Sequence, residues 1–128
     1  MQANQSTSPQ TLVTTTEKAL LVTTPIVDGI PGSISPIRIA GTINVTPGTG
    51  TTSVVIRVRQ GNGITGTALG NPVTHNVTAA APTQLAFSAQ DLSGWLTQAG
   101  GGSYAVTIQQ TGATGNGTVN YVESILEQ

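Results

Sequence analysis

From Pro36 to Gln60 the chain reads PIRIAGTINVTPGTGTTSVVIRVRQ, two runs of alternating apolar and polar residues separated by PGTG at 47–50. Such alternation marks a strand with one face buried. A Pro/Gly break between two such runs predicts a hairpin. With Pro47 facing Gly50, Ile43 meets Val54, Gly41 meets Ile56 and Ile39 meets Val58, all on one face. On the other face this register sets Arg38 against Arg59, with Arg57 beside them opposite Ala40. Like charges directly opposed destabilise a ladder. The cluster of Arg38, Arg57 and Arg59 therefore calls for a carboxylate, with Glu17, Glu123 and Glu127 as candidates, within the subunit or across an interface.

A second hairpin is predicted in SYAVTIQQTGATGNGTVNYVESILEQ, from Ser103 to Gln128, where the glycine-rich TGATGNG breaks the pattern. Tyr104, Val106 and Ile108 alternate on one arm; Val119, Tyr121, Glu123 and Ile125 alternate on the other. With Thr111 facing Thr118, Val106 meets Glu123, which puts a carboxylate on a largely apolar face. A buried carboxylate needs a partner, so an arginine is expected there. Further strands are predicted at Leu12 to Val22, Val73 to Thr78 and Thr83 to Ser88. In FSAQDLSGWL, Ser88 and Ser93 can cap one short helical turn. No segment sustains a 3.6-residue period. Many short strands between turns argue for an all-β sandwich or barrel.

Composition narrows the function classes. Of 128 residues only 7% are charged, against about 25% in typical soluble domains. The net charge of −1 provides no basic field for nucleic acid. Low net charge leaves little repulsion between copies and favours association. Cysteine is absent, which removes disulfides, thiolate catalysis and Cys-based zinc sites. No apolar run approaches the length of a membrane-spanning helix, and MQANQSTSPQ at the start shows no secretion-signal pattern. One domain over residues 11–128 is expected, preceded by an extended N-terminal arm at 1–10 that can reach a neighbour.

The candidate chemistry is sparse. RQGNGITGTALGN contains G-x-G-x-x-G at Gly61, Gly63 and Gly66. A phosphate cradle needs a helix directly after the glycines; here Gly70, Pro72 and a strand-like VTHNV follow. The loop is read as a strand exit. His75 is the lone histidine, with no cysteine to help it hold a metal and no G-x-S-x-G elbow for a triad. No cofactor, metal or catalytic residue is assigned. The sequons at Asn4, Asn44, Asn76 and Asn116 are read as by-products of Thr-rich strands. Among Phe87, Trp95, Tyr104 and Tyr121, Trp95 is singled out for an interface role, since it sits in a loop-like stretch beside Gly94.

GTINVTPGTGTTSVVIRVRQG and SYAVTIQQTGATGNGTVNY together resemble small Thr/Gly-rich structural proteins of bacterial viruses, over about residues 36 to 122. The resemblance implies an antiparallel β-sandwich, a single jelly roll (TNF-like), that trimerises and sits on or in a capsid as a decoration or minor capsid protein. It implies a non-enzymatic virion component, made in the host cytoplasm. Its partners would be its own copies and other capsid proteins, with no nucleic acid and no membrane. Interface and salt-bridge candidates are Arg38, Arg57, Arg59, Glu123 and Trp95. The alternative is the receptor- or glycan-binding head of a fibre or adhesin, which predicts exposed aromatics and a concave polar site.

Overall fold

The computed structural model describes residues 2–23, 37–77, 81–92 and 102–127. Nine strands are described: β1 (Gln2–Ser6), β2 (Gln10–Leu12), β3 (Lys18–Thr23), β4 (Ile37–Thr46), β5 (Ser53–Gln60), β6 (Val73–Asn76), β7 (Thr83–Asp91), β8 (Tyr104–Thr111) and β9 (Gly117–Glu127). Sheet A runs β1-β9-β4-β7, with β2 also on β9; sheet B runs β3-β8-β5-β6. Every pairing is antiparallel. The pairs nest: β1 and β2 with β9, β3 with β8, β4 with β7, β5 with β6. Nested pairs wrapped over two packed sheets make a jelly roll.

The extended N-terminal segment lies along its own chain. β1 pairs with β9 from Gln2↔Leu126 to Ser6↔Val122. Val13 to Glu17 turn the chain from β2 into β3, with Thr14 at a positive φ of 36°. Ser88 to Asp91 continue β7, so no helical turn starts at Ser88: Ser88 pairs with Ala40 and Asp91 with Ile37. Ser93 and Trp95 lie outside the described residues.

Both predicted hairpins are corrected. β4 pairs with β7 and β9, and β5 with β6 and β8, so the two strands flanking PGTG belong to opposite sheets. The inward residues were the right ones. Ile39, Ile43, Val54, Ile56 and Val58 are all buried, but they meet across the sandwich interior rather than side by side in one sheet. β8 and β9 are separated in the same way. The glycine-rich links at 47–52 and 112–116 are therefore arches between sheets, and they pack on each other. Thr52 N donates to Thr111 O at 2.9 Å and Thr114 N to Thr49 O at 2.8 Å. Gly48 is required there: a Cβ at that position would sit 2.2 Å from the Gly115 carbonyl oxygen.

The core between the sheets is built from small β-branched and aliphatic residues, with Phe87 and Tyr104 as its aromatics. Several polar side chains are buried, and two of them, Gln110 and Asp91, organise their surroundings. Gln110 fastens one end of the sandwich: its Oε1 accepts from Gly48 N at 2.7 Å, and its Nε2 donates to Thr14 O at 2.8 Å. At Asp91, Oδ2 accepts from the Tyr104 hydroxyl at 2.7 Å and from Gln60 Nε2 at 3.1 Å. Burial, with the Asp91 acceptor adding to it, pushes the Tyr104 hydroxyl far above the ordinary phenol range.

Candidate interaction face

The glycine motif folds back on β5. Gln60 N donates to Thr67 O at 2.9 Å and Leu69 N to Val58 O at 2.8 Å. A Cβ on Gly66 would fall 1.6 Å from the Gln60 carbonyl oxygen, so this tight return needs glycine. The turn leads to β6, with no helix over residues 61–77 to hold a phosphate.

The three arginines are split between the sheets. Arg57 and Arg59 project from the outer face of sheet B, where Glu17 in the β2–β3 turn meets both. Arg59 pairs bidentately, Nε to Glu17 Oε2 at 2.7 Å and Nη2 to Oε1 at 2.9 Å. Its Nη1 also donates to Gly66 O at 2.9 Å, fixing the glycine loop. Arg57 Nη1 reaches Glu17 Oε1 at 3.3 Å and Gln109 Oε1 at 2.9 Å. Gln109 in turn donates to Thr15 O at 3.0 Å, back in the same turn as Glu17. The Arg59 hydrogen bonds hold Glu17 below the ordinary carboxylate range, outweighing the burial that pushes it up; the Thr107 hydroxyl and the charges of Arg59 and Arg57 add to the lowering. Glu17 raises Arg59 in return. All three side chains are mostly covered, and the network ties two loops to sheet B.

Arg38 is on the other sheet, paired in register with Gln90 and Glu127. Its guanidinium lies 3.7 Å from Glu127, with both side chains about half exposed. The expected opposition of Arg38 and Arg59 does not arise, because their strands are in different sheets. Glu123 is a second correction. Between Asn44↔Tyr121 and Val45↔Val119 the register shifts by one residue, so Asn120 is extra. This bulge inverts the alternation. Val122, Ser124 and Leu126 turn inward, and Glu123 and Ile125 turn out. Glu123 accepts a hydrogen bond from Thr42 Oγ1 at 3.1 Å and has no ion pair among the described residues. Among the described residues the buried carboxylate is Asp91 instead, partnered by a tyrosine and a glutamine. Its position was readable by extending the inward alternation of Leu85, Phe87 and Ala89 by two residues.

The outer face of sheet A is thus the open one. Its rows follow from the registers. Glu127, Arg38 and Gln90 form one row; Ala3, Ile125, Ala40 and Ser88 the next; Gln5, Glu123, Thr42 and Ala86 the third. Below them an amide ladder is internally satisfied. Asn120 Nδ2 donates to Asn44 Oδ1 at 2.8 Å, and Tyr121 donates its hydroxyl to Gln84 Oε1. Over the small residues lies an open hollow of about 730 Å³, lined among others by Asn4, Gln5, Arg38, Thr42, Glu123 and Ile125. Ile125 is 43% exposed in its middle. His75 is not part of this face. It leans from β6 across the seam between the sheets, its Nε2 2.7 Å from Ala86 O. A carbonyl only accepts, so Nε2 carries the proton. Among the described residues no group of His, Asp or Glu is placed to hold a metal ion.

No protein-family model matches the chain, and no curated protein matches it in sequence. Solved structures do match it in shape. A chain in the structure of infectious bursal disease virus, Gt strain, superposes over 98% of this protein with a TM-score of 0.60 at 10% identity. The Gx strain gives 99%, 0.58 and 12%. This protein spans 32% of each of those chains. The likeness is one of fold, and it extends over nearly the whole jelly roll.

Proposed function

We propose that this protein is a non-enzymatic structural component of a virus particle, a homo-oligomer, expected to be a trimer, that decorates or cements a capsid. The observation behind the reading is that nearly the whole chain superposes as one jelly roll on part of a chain of a virus structure. The remaining support is physical. Arg57 and Arg59 on sheet B are engaged in holding the chain's own loops, whereas sheet A presents a preformed, mixed apolar and polar face. Few charges and a rigid hydrogen-bonded sandwich suit a building block that acts through many copies. The test is solution mass followed by co-sedimentation with capsids of the virus that encodes it. A trimer that binds particles at fixed stoichiometry is expected; a chain that never sediments with particles would overturn the reading.

The hollow on sheet A favours one second reading, a glycan-binding head, because Gln5, Thr42 and Glu123 offer convergent donors and acceptors around Ile125. Glycan-array binding that is lost in Trp95→Ala or Thr42→Ala would move the assignment there.

A further inference from the structure

The outer face of sheet A is complementary to itself. Consider a twofold axis parallel to the strands and midway between β4 and β9. A second copy laid face to face about this axis puts its β4 over β9 and its β9 over β4, with the rows still aligned. Ile125, the large exposed residue, then lies over Ala40 of the second copy, the small one. Glu127 lies over Arg38 of the second copy, and Glu123 over Thr42 of the second copy. Each bulge meets a recess, each Glu127 meets a cation, each Glu123 meets a hydroxyl that turns to it from the Glu123 of its own chain, and no like charges are directly opposed. The second copy repeats all three contacts, as a twofold interface requires. We propose that this face docks on the same face of a second copy in that register, exchanging the Arg38–Glu127 pair between chains.

The size fits. Four strands abreast at about 4.8 Å, along a ten-residue β4 rising about 3.3 Å per residue, give roughly 600 Å² in projection. A standard interface buries about 800 Å² of accessible surface on each side, which a pleated face of this projection approaches. The single-chain geometry fits as well. Arg38 and Glu127 are 3.7 Å apart and half exposed, a loose pair that costs little to rearrange. The inference rests on the self-association part of the proposed function. It adds the contact that a ring alone does not supply: copies joined only about one closed axis cannot extend into a layer.

The test uses two charge reversals in the full chain, Arg38→Glu and Glu127→Arg, followed by analytical ultracentrifugation. Each variant alone opposes like charges across the axis and is expected to lose the mass-doubling step. An equimolar mixture restores both cross-axis pairs, Glu over Arg and Arg over Glu, and is expected to recover the doubled mass as a one-to-one complex. Pairing within a single chain cannot produce that recovery, because each variant still carries its own internal repulsion. Ile125→Asp supplies an independent arm: association at least tenfold weaker, with an unchanged melting temperature. Single variants that associate like the parent, a mixture that fails to recover, or a parent with no doubling step at the highest attainable concentration would each overturn the inference. If particle binding persists while the mixture fails, the docking register is wrong and the structural role stands. If the mixture pairs but nothing binds particles, the reverse holds.

Discussion

On sheet B, the side chains of Glu17 and Arg59 are 13% and 17% exposed and joined by two short hydrogen bonds. On sheet A, Arg38 and Glu127 are 53% and 45% exposed and 3.7 Å apart. Both are arginine–glutamate pairs on the outer face of a sandwich. The difference is what surrounds them. Glu17 arrives on a turn that also covers β8, where Ala105 and Thr107 are fully buried, and its two arginines reach on to Gln109 and Gly66. Such a pair organises the chain that contains it. The Arg38 pair fastens no loop among the described residues, and its neighbours are alanine, serine and an exposed isoleucine. An ion pair in low dielectric with every atom directed serves folding; one left loose in water adds little stability and leaves its charges available to another surface.

Breaking the inner network is expected to have the largest effect. Glu17→Ala leaves Arg57 and Arg59 facing each other under a turn that has lost its anchor. A loss of about 2–4 kcal/mol in denaturant unfolding is expected, with the mass in solution unchanged. Gly66→Ala strikes the other end of the network. Its Cβ would collide with the Gln60 carbonyl, the loop must shift, and Arg59 loses an acceptor; a loss of about 1–3 kcal/mol is expected, read as a lower melting temperature.

Acid sharpens the contrast. Folding depresses the Glu17 carboxyl, so its contribution is fully present above the unfolded-state pKa and is lost as pH falls through the depressed folded value. The parent should therefore lose more stability than Glu17→Gln between neutral pH and the acid range below ordinary carboxylate values, and the gap between the two should narrow there. Parallel stability–pH curves would remove Glu17 from the account. The smallest effect is expected on sheet A. Arg38→Gln should change unfolding free energy by no more than about 0.5 kcal/mol; a loss comparable to that of Glu17→Ala would mean that both faces serve folding alike.

The two arches explain what was legible in the sequence. Alternation at Ile39 to Val58 identified the buried face of β4 and of β5 correctly, and it extended to most of the strands. It could not identify partners, because two strands that share a core face have the same pattern whether they lie side by side or across the interior. PGTG and TGATGNG look like hairpin turns for a related reason: an arch between sheets uses the same glycines, here so that Gly48 and Gly115 can touch backbone to backbone. The jelly-roll class followed from the resemblance, not from either hairpin. Glu123 was placed on the wrong face because one extra residue, Asn120, inverts the alternation, and nothing in VNYV marks a bulge. Glu17 was named as a partner of the arginine cluster, but its meeting with Arg57 and Arg59 depends on a turn folding over β8, which residue spacing does not encode.

The nesting of the strand pairs also sets an order of events in time. The innermost pair, β5 with β6, closes the shortest stretch of chain, and each pair outward closes a longer one, ending with Gln2 against Leu126. Non-local pairing of this kind folds slowly, on the scale of about milliseconds to seconds. The entropy of closure grows outward with loop length. β1 is therefore expected to arrive last, and until it does the edge of β9 stands open. At high concentration, that interval is when the first strand of one chain can settle on the ninth of another.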